Sequence, residues 1–184
     1  GSLKEFGISY EQIDLLPDGG VNYDAIPEAV TGAKVAYIQR SRGYSLHPSL
    51  FVEDIEEMVK LVRQTNPDAI IMVDNCYGEF VQEKEPTQVG ADLIVGSLIK
   101  NPGGGIAPTG GYIAGKAKYV DMCAQRLSAP GVGKEVGCTL GNTRALFMGL
   151  FFSPSVVASA VKTAVFAASL CELLGYEVTP KSDE

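Results

Sequence analysis

Ala69-Ile70-Ile71-Met72-Val73 is a continuous apolar run that ends abruptly in the polar stretch Asp74-Asn75-Cys76-Tyr77. A short apolar run of this kind, bounded by turn-forming residues, reads as a strand buried on both faces of a parallel sheet. Asn66-Pro67-Asp68 stands just before it and stops the preceding element. That element, residues 48–64, reads as a helix, because Leu50, Ile55, Met58, Val59 and Val62 recur at helical spacing with Glu and Lys between them.

The same pattern extends outward in both directions. Lys34 to Gln39 (KVAYIQ) follows the turn-like Thr31-Gly32 and is rich in strand formers. Ala91 to Val95 (ADLIV) is a third strand-like run, and Gly110 to Ala114 (GGYIA), after a glycine-rich loop, a fourth. Residues 116–127 read as a helix, and residues 154–174 as a long alanine-rich amphipathic helix ended by Gly175. Strands that alternate with helices and lack hairpin signals predict an α/β architecture with a mostly parallel sheet flanked by helices.

The chain has 184 residues, 46% hydrophobic and 20% charged, the balance of an ordinary globular protein. A net charge of -7 speaks against nucleic-acid or anionic-membrane partners, which call for a basic surface. No basic region leads into an apolar stretch at the N-terminus, so no signal peptide is expected. The longest apolar run, residues 147–160, is interrupted by Ser153-Pro154-Ser155 and reads as too short to span a bilayer. Four scattered cysteines without a CxxC pair, beside the single histidine His47, exclude a zinc site and predict reduced thiols in a cytoplasmic protein.

In an open parallel sheet, ligands collect beyond the carboxyl ends of the strands. The residues at those positions are Arg40-Ser41-Arg42, Asp74-Asn75-Cys76-Tyr77 and Gly96-Ser97-Leu98-Ile99-Lys100. An aspartate and a lysine on one sheet edge are the groups that pyridoxal phosphate (PLP) requires. The amine forms a Schiff base with the cofactor aldehyde, and the carboxylate keeps the pyridine nitrogen protonated. Lys100 must lose its proton to attack, which a desolvated site with cationic neighbours favours. Ser97 and nearby backbone N–H groups are placed to hold a phosphate.

Taken singly, each residue has a plainer explanation. Strand-end aspartates cap and turn, lysines sit in solvent, and Cys76 packs as a small apolar residue. Asn101-Pro102-Gly103-Gly104-Gly105 is turn chemistry first, lacking both GxxxxGK[ST] and GxGxxG spacing. The joint pattern carries the reading.

These stretches also resemble a known group. Residues 73–80 (VDNCYGEF), 90–104 (GADLIVGSLIKNPGG) and 109–115 (TGGYIAG) resemble the fold-type-I PLP-dependent enzymes of cysteine and methionine metabolism. They are most similar to the bacterial aluminium resistance proteins, described as methionine gamma-lyase or cystathionine beta-lyase-like. Residues 38–44 (IQRSRGY) and 135–141 (EVGCTLG) fit that group as well.

The resemblance implies Lys100 as the Schiff-base lysine, Asp74 as the partner of the pyridine nitrogen and Ser97 as a phosphate ligand. Arg40 and Arg42 stand where relatives contact the ring or a substrate carboxylate, and Tyr77 and Thr139 are weaker candidates. Relatives often place a second hydroxyl residue just before the lysine, where this chain has Ile99. The implied activity is carbon–sulfur lysis of a sulfur-containing amino acid. Transamination, or a non-catalytic homologue acting through subunit contacts, are the alternatives. Residues 1–150 correspond to the central and later part of a PLP-binding large domain. Residues 151–184 correspond to a helix leading toward a small C-terminal domain. The resemblance also implies a homodimer or homotetramer.

Overall fold

A computed structural model describes residues 2–183. Four strands, β1 (Val35–Gln39), β2 (Ile70–Asp74), β3 (Leu93–Ser97) and β4 (Gly111–Gly115), form one sheet in the order β1-β2-β3-β4. The α-helices are the single turn α1 (Ile26–Ala29), then α2 (Val52–Thr65), α3 (Ala117–Leu127) and α4 (Thr143–Leu173). β1, β2 and β3 pair in parallel, with Gln39 opposite Asp74 and Asp74 opposite Val95. β4 runs antiparallel to β3, with Ser97 opposite Gly111. The sheet is therefore mostly parallel, as its apolar strands predict. β4 departs from the pattern because residues 98–110 hold only the short turn Asn101–Gly103, not a crossover helix. The chain turns back on the same edge, where the Leu98 N–H donates to the Gly110 carbonyl at 2.9 Å.

The core lies on one face of the sheet. Ile55, Met58, Val59 and Val62 of α2 pack against Ile38, Ile71, Val73 and Ile94, with Ile26 and Val30 closing one side. The helix begins where Asp54 accepts the Phe51 N–H at 2.8 Å. Beyond its end, the Asn66 amide donates to the carbonyls of Val30 and Ala33, both at 2.8 Å, joining the α1 turn to α2. A second tie passes through Asp92, 2% exposed. Its carboxylate takes Arg63 at 2.5 Å, Lys116 at 2.6 Å and the Ile71 N–H at 2.7 Å, linking α2, β2 and the start of α3. The other face of the sheet is open, and Val35, Tyr37 and Ile113 on it are exposed.

The last helix differs from its reading in the sequence. It starts at Thr143, not Pro154, and runs 31 residues with Pro154 inside it. Proline removes the N–H that would bond the carbonyl four residues earlier. That carbonyl, of Leu150, instead accepts the Ser153 hydroxyl at 2.7 Å. The helix is apolar around most of its circumference, not amphipathic, and most of its large apolar residues are exposed. By length and composition alone this 31-residue helix, longer than the apolar run at residues 147–160, is long and apolar enough to cross a membrane. It docks through Gly149, where an added Cβ would lie 2.1 Å from the Gly103 carbonyl oxygen. The boundary expected between residues 150 and 151 falls inside this helix.

Candidate cofactor-binding site

The carboxyl ends of β2 and β3 bring Asp74 and Lys100 together. Asp74 is the last residue of β2, and its side chain is fixed from two sides. Oδ1 accepts the Cys76 N–H at 3.0 Å and Oδ2 accepts the Tyr37 hydroxyl at 3.3 Å. Tyr37 comes from the neighbouring strand, and burial, followed by the charge of Asp74, pushes its phenol up. Ser97 ends β3 and lies two residues beyond Val95, the register partner of Asp74. Period-two alternation therefore sets Ser97 and Asp74 on the same face. The Ser97 hydroxyl makes no hydrogen bond among the described residues.

Lys100 follows in the loop after β3 and opens the turn Asn101–Gly103. Its Nζ lies 4.4 Å from the centroid of the Tyr77 ring. Cys76, one residue before Tyr77, is the group that acts most strongly on the same ammonium. Its influence holds the lysine above its ordinary value against partial desolvation, with Tyr77 and Asp74 adding to it. Among the described residues, none of the groups that act on Lys100 is cationic, unlike the neighbours expected to loosen its proton. Burial pushes the Cys76 thiol up, Asp74 adds to this and Lys100 opposes it.

Arg40 is held from several sides. It is 4% exposed and turned into the protein, on the face opposite Asp74. Nη1 donates to Asn75 Oδ1 at 2.8 Å and to the Gly78 carbonyl at 2.9 Å, and Nη2 donates to Gln82 at 2.7 Å. Nε donates to the Leu50 carbonyl at 3.3 Å, and Glu85 lies 3.8 Å from Nη1. These bonds tie Arg40 to the loop after β2. Arg42 donates to the His47 carbonyl at 3.4 Å, and Thr139 pairs with Thr143 at the start of α4. Neither contacts Asp74, Ser97 or Lys100 in this network.

Behind Asp74 lies a buried polar cluster that was not read from the sequence. Tyr112 donates to Glu79 Oε1 at 2.8 Å, and Asn75 donates to Glu85 at 2.8 Å. Glu79 is 5% exposed and its Oε2 has no partner. Burial pushes the Glu79 carboxyl up, the nearby Glu85 adds to this, and the Tyr112 bond and Lys100 oppose it. Burial also raises the Tyr112 phenol, followed by the charge of Glu79. The available signal was glycine. A Cβ at Gly78 would lie 2.3 Å from Arg40 Nη1, and one at Gly96 would lie 2.4 Å from both Glu79 Oε1 and the Tyr112 ring. Two surface concavities, of about 240 Å³ beside Lys134 and about 360 Å³ beside Asn66 and Tyr119, do not include Asp74 or Lys100.

The Bacillus subtilis protein YnbB, named as uncharacterized, is 50% identical over 184 residues, all of this chain and 44% of its own length. A crystal structure of a carbon-sulfur lyase involved in aluminum resistance from Clostridium novyi NT superposes with a TM-score of 0.91 at 48% identity. The match covers 100% of this chain and 44% of that one. An L-methionine gamma-lyase from Treponema denticola is 25% identical over 147 residues, 80% of this chain and 33% of that enzyme. The chain thus spans less than half the length of these relatives. The methionine gamma-lyase profile matches residues 1–184, and on that match the chain belongs to the methionine gamma-lyase family.

Proposed function

We propose that this chain forms the lysine-bearing part of a PLP-dependent carbon–sulfur lyase acting on a sulfur-containing amino acid. The observation that carries the reading is the convergence of Asp74, Cys76, Tyr77 and Lys100 at the carboxyl ends of β2 and β3. The donor set suits the cofactor. Asp74 is an oriented carboxylate able to accept from a protonated ring nitrogen, Lys100 supplies the amine, and the Ser97 hydroxyl is available to a phosphate.

When bound, PLP supplies an aldehyde for the amine and a ring that withdraws electrons from the substrate carbon. The residues of the chain do the remaining work. Tyr37 and the Cys76 N–H hold Asp74 in one orientation, from which its carboxylate would accept from the ring nitrogen of a bound cofactor. Cys76 and Tyr77 favour the charged form of Lys100, and once neutral its Nζ would be the group to take a proton from one substrate carbon and return it to another. Arg40 keeps the loop 75–80 in place from behind. The proposal includes a small amino-acid substrate, self-association of the whole protein as a dimer or tetramer, and a cytoplasmic setting. Four unpaired cysteines suit that setting.

The test belongs on the protein at the length of its relatives. With PLP added, the protein is expected to turn yellow, and borohydride to fix the cofactor on the peptide containing Lys100. Lys100→Ala is expected to abolish both. Release of thiol and α-keto acid from methionine, cystathionine and cysteine then identifies the substrate. A colourless protein, or cofactor fixed on another lysine, overturns the proposal.

A further inference from the structure

Tyr77 has a backbone φ of 69°, in the left-handed region that a bulky L-residue rarely occupies. Such a conformation persists only where the surroundings over-determine it. Here they do. Gly78 N–H donates to the Asn75 carbonyl at 2.8 Å, Arg40 grips both Asn75 Oδ1 and the Gly78 carbonyl, and Phe80 N–H donates to Glu85 at 2.8 Å. Core packing does not explain the strain, because the Tyr77 side chain is 60% exposed. The ring instead presents its face to Lys100 Nζ, 4.4 Å from the centroid.

We propose that Tyr77 is a positioning residue for Lys100, whose ring face holds the lysine at the Asp74 end of the site and governs when its amine becomes nucleophilic. The proposal rests on the reading of Lys100 as the cofactor lysine. A cation over an aromatic face is favoured over the neutral amine, because only the charge interacts with the ring quadrupole. Three other groups also act on Lys100. Cys76 lies on the same loop as Tyr77, Asp74 ends β2, and Glu79 lies further along the loop. All three remain when Tyr77 is replaced, so a change at position 77 isolates the ring. Loss of the ring face is expected to raise the neutral amine fraction at a fixed, lower pH about two- to fivefold.

The experiment uses the 184-residue chain without PLP. Trinitrobenzenesulfonate labelling of Lys100, followed by peptide mass across a pH series, reads the amine directly. Tyr77→Phe keeps the face and is expected to titrate like the original protein. Tyr77→Leu, and phenylalanine fluorinated around its ring at position 77, are expected to move the midpoint down by a few tenths of a pH unit. Fluorination keeps the shape and reverses the charge of the face, so this pair decides the matter even if Tyr77→Leu does not fold. Identical midpoints for all rings overturn the proposal. A Lys100 that labels as expected, in a protein of relatives' length that takes up no PLP, overturns the functional reading and leaves the role of Tyr77 standing.

Discussion

The Arg40 guanidinium donates to the Gly78 carbonyl at 2.9 Å from beneath the loop that carries Tyr77. The same nitrogen reaches Asn75 Oδ1 at 2.8 Å, so one buried cation fixes the residue after Asp74 and the residue after Tyr77. Gly78 is what permits the approach, since any Cβ there would enter the guanidinium. Arg40→Ala should therefore destabilise the protein by about 3–5 kcal/mol, because it leaves Asn75, Glu85 and the Gly78 carbonyl facing a void. Arg40→Lys should recover only part of this, lacking the planar fork. Urea denaturation measures both, and a loss below 1 kcal/mol for Arg40→Ala would show that the loop stands without its anchor.

Asp92 should make stability depend on acid. Burial opposes its charge, but bonds from Lys116, the Ile71 N–H and Arg63 outweigh this and hold the carboxyl below its ordinary value. A carboxyl depressed in the folded state contributes stability that is present above the unfolded value of about 3.9 and is lost as pH falls through the folded value. Asp92→Asn should cost about 3 kcal/mol at neutral pH and flatten the acid limb of the stability curve. Equal acid limbs in both proteins would remove Asp92 from this role.

Glu79 should act in the opposite sense. Its carboxyl is raised, chiefly by burial, so its stabilising contribution is greatest at low pH. That contribution declines as pH rises from about 4.3 through the folded value. Glu79→Gln keeps an acceptor for the Tyr112 hydroxyl and carries no charge. The variant is expected to be more stable than the original at neutral pH, with the difference vanishing in acid. Thermal melts at pH 4 and pH 8 check the sign.

Ser153 and Pro154 should be coupled. Ser153→Ala leaves the Leu150 carbonyl without the donor that replaces the proline's missing N–H, at a cost of about 1 kcal/mol. In a Pro154→Ala background the new N–H can bond that carbonyl, and the cost should fall close to zero. A double-mutant cycle on thermal stability measures the difference, and additivity of the two changes would refute the coupling.

Much of the architecture was legible locally. Apolar runs at residues 69–73 and 91–95 become β2 and β3 with shifts of one and two residues, because such runs can be satisfied only inside a sheet. The helical spacing of Ile55, Met58, Val59 and Val62 becomes the buried face of α2 for the same reason. α4 was misread at its start because proline normally marks a first helical turn. The hydroxyl that lets the helix pass through Pro154 acts through geometry and not through any spacing.

The sequence alone determined, to within two residues, the strand ends at or beyond which Asp74, Ser97 and Lys100 stand, since hydrophobic periodicity dictates where each buried run must stop. Only the tertiary structure decided which way the neighbouring side chains turn. Arg40 follows β1 directly and Asp74 ends the adjacent β2, yet alternation along the chain sends one into the core and the other to the open face. The left-handed backbone at Tyr77 and the unpaired Glu79 oxygen are likewise products of packing. They arise where residues distant in the chain compete for one small volume, and no local pattern records that competition.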